Sequence, residues 1–272
     1  MDAGTAPGGE GTTPTYSRSF RAIEVASITA FFGLSSVIAW RLAPHVPAHP
    51  WLLGSAFFAG FLAADFVSGF VHWLGDTWGS SSMPVIGEAL VRPFREHHVD
   101  PRGITRHDYI ETNGANCLLA VPVALVAACV PFELGAWKEL ALFAVAATGS
   151  MIFWVMMTNQ FHKWAHNTDD ERPRCVSWLQ RRGLILSPEH HAIHHRAPYA
   201  THYNITTGWL NGILWRVDFY RRAEALVHAT TGLVPRGDET SPDYDPAMMG
   251  VRPARILEAQ AIDTAAASDT AS

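Results

Sequence analysis

Histidine and acidic residues form four clusters whose spacing suits a metal site. Eleven of the 14 histidines lie between His72 and His202, so the excess of histidine is local. In chain order the clusters are His72-x-x-x-Asp76, Glu96-His97-His98, His162-x-x-x-His166 and His190-His191-x-x-His194-His195, with His202 shortly after. Residues four positions apart on a helix lie on the same face, where two imidazoles can bind one ion. The spacing therefore predicts a metal centre assembled from several helical pieces.

The number and type of these side chains narrow the choice of metal. The predicted ligands are His72, Asp76, His97, His98, His162, His166, His190, His191, His194, His195 and His202. Zinc normally takes three or four protein ligands, so two ions fit this set better than one. A nearly all-imidazole set without thiolate favours iron that handles O₂, although imidazole also suits zinc. A histidine patch that only senses pH is the alternative without a metal.

Four apolar segments must position these clusters: residues 22–40, 51–71, 116–132 and 140–157. Helices of this length span about 26–32 Å, close to the thickness of a hydrocarbon core. The first two segments each contain one charged side chain, Glu24 and Asp65, and the other two contain none. We predict an all-α protein with four transmembrane helices. Four buried helices of a soluble protein are the alternative.

An even number of spans places both termini and the loop 74–115 on the same side of the membrane. That loop contains Arg92, Arg95, Arg102 and Arg106, so the positive-inside rule predicts a cytoplasmic location for it. Residues 74–115 and 158–236 would then form the cytoplasmic, histidine-rich cap of one membrane-embedded domain, 18–236. The compositions of residues 1–17 and 237–272 predict disordered tails.

The second apolar segment carries a polar stripe that leads to the predicted metal centre. Asp65, Ser68, His72 and Asp76 point in nearly the same direction on a helix. An ionisable residue inside an apolar span suggests a function, so Asp65 either supports the metal centre or pairs with another helix. Asp76 and Glu96 could orient histidines, and Asp76 could also bind the metal directly.

Further along the chain, residues 208–220 place apolar side chains at helical spacing. This stretch predicts either a helix lying in the membrane interface or one packed on the cap.

Other features of the chain exclude some functional classes. The formal net charge is −5 and no basic tract stands out, which argues against a nucleic-acid partner. Cys117, Cys129 and Cys175 form no closely spaced pair, so neither a disulfide framework nor a cysteine zinc site is expected. A metal transporter would bury its ligands near the bilayer midplane, whereas these clusters lie at helix ends.

Four segments closely resemble the CarF/plasmanylethanolamine desaturase family, which includes plant plastid fatty-acid desaturases acting on phosphatidylglycerol. They are FVSGFVHWLGDTWG, FREHHVDPRGITRHDYIETN, TNQFHKWAH and SPEHHAIHHRAPYATHYNITTGWLN. The resemblance covers about residues 50–225 and is strongest to the bacterial CarF branch. General membrane desaturases often show HxxHH in the loop, whereas this chain has Glu96-His97-His98.

The resemblance implies a multi-pass enzyme of the bacterial inner membrane with two irons and a cytoplasmic active site. It would convert the 1-O-alkyl chain of an ether phospholipid into a vinyl ether, using O₂ and electrons from a cytochrome b5-like or ferredoxin-like protein. The CarF branch is also linked to singlet-oxygen signalling and carotenoid synthesis. The metal ligands alone do not distinguish this activity from that of an acyl-lipid desaturase or a hydroxylase, or from a metal-binding sensor without turnover.

Overall fold

The computed structural model describes residues 18–80, 82–84, 87, 91–132, 135–196 and 199–235. The two predicted tails, 1–17 and 237–272, lie outside these residues. Nine α-helices occur in the described ranges: α1 (Arg18–Leu42), α2 (Pro50–Thr77), α3 (Arg92–Val99), α4 (Tyr109–Cys129), α5 (Lys138–His166), α6 (Arg174–Arg181), α7 (Pro188–His194), α8 (Asn211–Arg216) and α9 (Phe219–Thr231). The described part of the chain contains no β-strand, which confirms the predicted all-α class.

Four of these helices, α1, α2, α4 and α5, are long and apolar enough to cross a membrane. The predicted number of spans is therefore confirmed, although the helices are longer than the apolar segments. Helix α5 continues nine residues past the predicted end of its span at residue 157, and α2 continues six residues past residue 71. In both helices, the polar residues that follow the apolar run therefore remain part of the same helix.

The third span begins seven residues earlier than the apolar pattern indicated. The side chain of Asp108 caps the helix by accepting a hydrogen bond from the backbone N–H of Glu111, as Asp commonly does at this position. The helix ends at Cys129, and Pro131 follows two residues later. Because residues 109–115 are more polar than the rest, hydropathy alone placed the start too late.

Helix α5 lies at the centre of the bundle and packs against α2 and α4, while α1 packs mainly against α4. Helices α2 and α5 approach closely at Gly60, where an added Cβ would lie 2.2 Å from the carbonyl oxygen of Ala147. The hydroxyl of Ser150 also donates a hydrogen bond to the carbonyl of Phe57 over 2.7 Å. Small residues that allow such approach are typical of membrane helix interfaces. This contact fixes the relative position of two helices that carry predicted metal ligands.

Candidate metal centre

Helices α2 and α5 bring the first and third histidine clusters together where both helices end. His72 and His162 are buried, and their ring centroids are 6.0 Å apart. Helices α3 and α7 cover this end of the bundle and contribute the second and fourth clusters. The side-chain hydroxyl of Ser187 caps α7 by accepting from the backbone N–H of His190. Four separate helices thus supply side chains to one buried centre.

Two groups of side chains in this centre can each hold a metal ion. Within a group, the ligating atoms all lie within 4.8 Å of one another. The larger group consists of His97, His162, His166, His191 and His195. The smaller group consists of His72, Asp76, His98 and His194. The neighbouring residues His97 and His98 belong to different groups, as do His194 and His195, so the two groups lie side by side.

In the larger group, more imidazole nitrogens lie close together than hydrogen bonding between them can account for. The Nε2 atoms of His162, His166 and His195 lie 2.8, 2.9 and 2.9 Å from Nε2 of His191. A neutral imidazole nitrogen offers either one N–H or one lone pair, so His191 cannot hydrogen-bond to all three. Nitrogens bound at right angles to one ion, at about 2.1 Å, would lie about 3.0 Å apart. The larger group therefore fits a metal ion.

Three imidazoles and one carboxylate make up the smaller group. One oxygen of Asp76 lies 3.3 Å from Nε2 of His72 and 3.4 Å from Nε2 of His194. Its other oxygen lies 3.8 Å from Nε2 of His98. The buried Nε2 of His72 has no hydrogen-bond partner among the described residues. A buried polar atom without a partner is costly unless an ion or water completes its coordination, so this group also fits a metal.

Backbone carbonyls orient two of the smaller group's rings. Nδ1 of His72 lies 3.1 Å from the carbonyl oxygen of Tyr203, and Nδ1 of His194 lies 2.9 Å from that of Thr201. A carbonyl only accepts hydrogen bonds, so each Nδ1 carries the proton and each Nε2 presents a lone pair to the centre. Metal-ligating histidines typically have such a second hydrogen bond.

Burial keeps the cap histidines of the centre neutral. Loss of hydration lowers the pKa of His191 and His194 well below the usual value, and neighbouring imidazoles lower it further. Burial also lowers the pKa of His195 to about 4. Neutral imidazole is the form that binds metal, so these rings are prepared for ligation at neutral pH.

Nine of the eleven predicted ligands lie in the two groups, and His190 and His202 do not. The rings of His190 and His202 pack together with centroids 5.4 Å apart, and Nε2 of His190 contacts the side-chain amide of Asn211 at 2.8 Å. Nδ1 of His202 contacts the hydroxyl of Thr201 at 2.9 Å. The sequence motif could not distinguish His190 from His191, because both have a partner four residues later.

Two residues predicted to orient ligands lie away from the two groups. The carboxylate of Asp65 accepts hydrogen bonds from the backbone N–H groups of Thr207, Gly208 and Leu210. Glu96 is exposed on α3. The backbone oxygens of Thr201 and Tyr203, which contact the rings of His194 and His72, were not predicted, because a carbonyl leaves no signal in residue type. Tyr199, whose ring stacks on His98 with centroids 4.1 Å apart, was also missed.

The fold and the site together define a helical membrane protein with two adjoining, histidine-rich candidate metal sites. A family model described as a lipid desaturase domain matches residues 61–238. The chain belongs to this lipid desaturase family, as the resemblance in its histidine motifs predicted, and is accordingly an oxidoreductase.

Several proteins named as desaturases match most of the chain. It is 54% identical over 224 residues to plasmanylethanolamine desaturase of Myxococcus xanthus, covering 82% of this chain and 78% of that protein. It is 46% identical over 190 residues to plasmanylethanolamine desaturase 1 of Mus musculus, covering 66% and 67%. It is 33% identical over 208 residues to chloroplastic fatty acid desaturase 4 of Arabidopsis thaliana, covering 76% and 61%. No solved structure matches this chain.

Proposed function

We propose that this protein is a two-iron plasmanylethanolamine desaturase. It would introduce the 1′-alkenyl double bond into the 1-O-alkyl chain of an ether phospholipid and so form a plasmalogen. The observation that carries the proposal is the set of nine ligands in two adjacent groups. The 54% identity to a plasmanylethanolamine desaturase supports the choice of substrate.

In this proposal each group of ligands holds one iron. His97, His162, His166, His191 and His195 hold the first, and His72, Asp76, His98 and His194 hold the second. Bound iron supplies the oxidative chemistry that breaks unactivated C–H bonds, which acid–base side chains cannot do. Per double bond, the substrate loses two hydrogen atoms, and one O₂ with two electrons and two protons yields two waters.

The protein's own residues position the ligands and keep water away. The carbonyls of Thr201 and Tyr203 hold two rings with their Nε2 atoms towards the centre. His72 and His194 are fully buried, which removes competing water from their side of the site. Because the centre lies at the ends of α2 and α5, a lipid chain can approach from the membrane and an electron carrier from the opposite side.

The same proposal includes an orientation and partners. We infer that the metal centre and both termini face the cytoplasm of a bacterial inner membrane, because the loop containing α3 carries several arginines. O₂ and a cytochrome b5-like or ferredoxin-like protein would serve as oxidant and electron donor.

Desaturation of an acyl chain is the second candidate, and the 33% identity to fatty acid desaturase 4 favours it. Lipid mass spectrometry of cells with and without the gene separates the two, with an alkyl ether lipid supplied as precursor. Acid-labile vinyl-ether lipids should appear only with the intact gene. A His191→Ala gene serves as the inactive control. A new double bond in acyl chains, with no vinyl ether, would redirect the assignment to the second candidate.

A further inference from the structure

The segment that follows the fourth histidine cluster runs down the side of α2, away from the metal centre. The ring of Trp209 contacts that of Phe61, with centroids 5.4 Å apart. Phe61 precedes His72 by eleven residues, which corresponds to about 16 Å along the helix. It is also the midpoint of the apolar run 51–71. The ring of Trp209 therefore reaches below the level of His72, while its indole N–H donates a hydrogen bond to the carbonyl of Gly183 in the cap over 2.6 Å.

Contacts with both α2 and α5 hold this segment in place. The hydroxyl of Thr206 lies 2.8 Å from that of Thr158 on α5 and 3.4 Å from the carbonyl oxygen of Ala64 on α2. Residues 203–208 are all buried, although they form no helix. Residues 204–210 thus form an irregular segment that packs against two membrane-spanning helices.

Exposed tryptophans mark the membrane boundary at the other end of the bundle. Trp40, Trp51 and Trp137 are 76%, 89% and 66% exposed. Tryptophan is enriched where protein meets the membrane–water interface. A hydrocarbon core of about 30 Å, counted from Trp51, covers about 20 residues of α2. Phe61 and Asp65 fall inside that length, so the segment packed on them reaches hydrocarbon depth.

Side chains pair the backbone N–H groups of this segment. Asp65 Oδ1 accepts from the N–H groups of Thr207 at 2.7 Å and Gly208 at 2.9 Å, and its Oδ2 accepts from that of Leu210 at 3.1 Å. The hydroxyl of Ser68 accepts from the N–H of Ile205 at 3.1 Å. Irregular backbone at membrane depth requires such pairing within the protein. The intramembrane carboxylate of Asp65 therefore stabilises the irregular backbone of this segment.

An apolar stripe on the outer face of this region is left partly exposed by the residues that the structure describes. Trp209, Ile213 and Val217 are spaced by four residues and are 42%, 58% and 48% exposed. The exposed side chain of Arg216 lies beside Ile213 and Val217, at the edge of this stripe. Ile213 lies on α8 and Val217 is its C-cap residue, so these two side chains share one helix face, and Trp209 lies just before the helix. At the depth of Phe61 in the membrane, such a face would contact lipid tails.

We propose that residues 204–217 enter the leaflet next to the metal centre as a half-embedded segment. Its stripe of Trp209, Ile213 and Val217 contacts lipid tails, and the carboxylate of Asp65 holds its irregular backbone. The occupant of this surface is membrane lipid. This inference does not depend on the metal or the substrate.

Spin labels report whether a side chain lies in hydrocarbon. Ile213→Cys and Val217→Cys are made in a Cys129→Ser/Cys175→Ser background, since Cys117 is buried and the other two cysteines are exposed. The labelled proteins are reconstituted in phosphatidylcholine vesicles. Leu119→Cys, 72% exposed on α4, is the lipid-facing control, and Asp170→Cys is the exposed cap control.

Collisions with O₂ should exceed those with a water-soluble nickel chelate at Ile213 and Val217, as at Leu119. Preferential collision with the nickel chelate, as at Asp170, would overturn the proposal and place the stripe in water. Low accessibility to both reagents at both positions would also overturn it, because the stripe would then be covered by protein. Both substituted residues are exposed, so two independent variants carry the test.

Discussion

Asn211 donates a hydrogen bond from its side-chain Nδ2 to Nε2 of His190 over 2.8 Å. The amide orientation follows from its oxygen, which accepts from the backbone N–H of Asn204 at 3.0 Å. His190 therefore uses its Nε2 lone pair on a neighbouring side chain, whereas the adjacent His191 presents Nε2 to three other imidazoles. Two neighbouring residues of one motif thus have different environments.

This difference predicts opposite results for a matched pair of variants. His191→Ala removes a ligand at the centre of the larger group, so it should abolish activity and reduce metal content to about one ion per chain. His190→Gln keeps a hydrogen-bond acceptor for Asn211, so metal content should stay near that of the parent. Elemental analysis of both purified proteins measures this. Equal metal loss in the two variants would show that His190 is also a ligand.

A second prediction concerns the metal itself. Purified protein should contain close to two iron ions per chain, because two groups of ligands are present. Chelation should lower the melting temperature by several degrees, since a ligand that binds only the folded state stabilises it. Adding Fe²⁺ back should restore the transition. A protein that holds one tight zinc ion and no iron when both are supplied would refute the two-iron proposal.

Asp76 provides a test of the smaller group. Asp76→Ala removes the carboxylate near the Nε2 atoms of His72, His98 and His194, so one of the two ions should be lost with the activity. His49→Ala, at the opposite end of α2, is the control and should keep both ions. Full metal content in Asp76→Ala would mean that three imidazoles suffice.

Asp65 should act on stability rather than on turnover. Asp65→Asn replaces an oxygen that accepts backbone N–H groups with an amide that donates. A buried N–H left unpaired costs about 1–3 kcal/mol. Thermal unfolding in detergent should show this loss, while activity per bound iron stays near that of the parent. A ten-fold fall in activity per iron at unchanged stability would instead assign Asp65 to the metal centre.

Helix α9 contains a buried ion pair between Arg221 and Glu224, which lie one turn apart on the helix. Arg221 and Glu224 are 3% and 2% exposed, and Glu224 also accepts from the indole N–H of Trp73 on α2. Glu224→Ala should cost about 3–5 kcal/mol, because it leaves a buried guanidinium without this partner.

The exposed pair of Arg106 and Asp100 is the matched control for Glu224→Ala. Asp100→Ala should cost less than about 1 kcal/mol, as exposed pairs usually do. Denaturant midpoints of both variants compare the two. Equal shifts would show that burial does not determine the value of the Arg221 pair.

The sequence predicted those elements that depend on residues close together in the chain. Apolar runs found the four spans, and the spacing of His162 and His166 identified two side chains that the structure brings together. The division of ligands into two groups depends on distances between helices, which no spacing contains. The role of Asp65 was also out of reach, because its partners are backbone groups about 140 residues away. Hydropathy marks a residue as apolar or polar but does not identify its partner.

The position of the metal centre at the ends of α2 and α5 has a consequence for regioselectivity. Phospholipid head groups lie at the membrane surface, and each carbon along the chain lies deeper. His162 and His166 are on the same continuous helix that spans the bilayer, so their height relative to the head groups is fixed. A centre at that height meets the first carbons of a chain before any others. In the proposed reaction, the fixed height of the metal centre therefore determines which carbons react. These are the carbons beside the ether oxygen, which lie nearest the membrane surface.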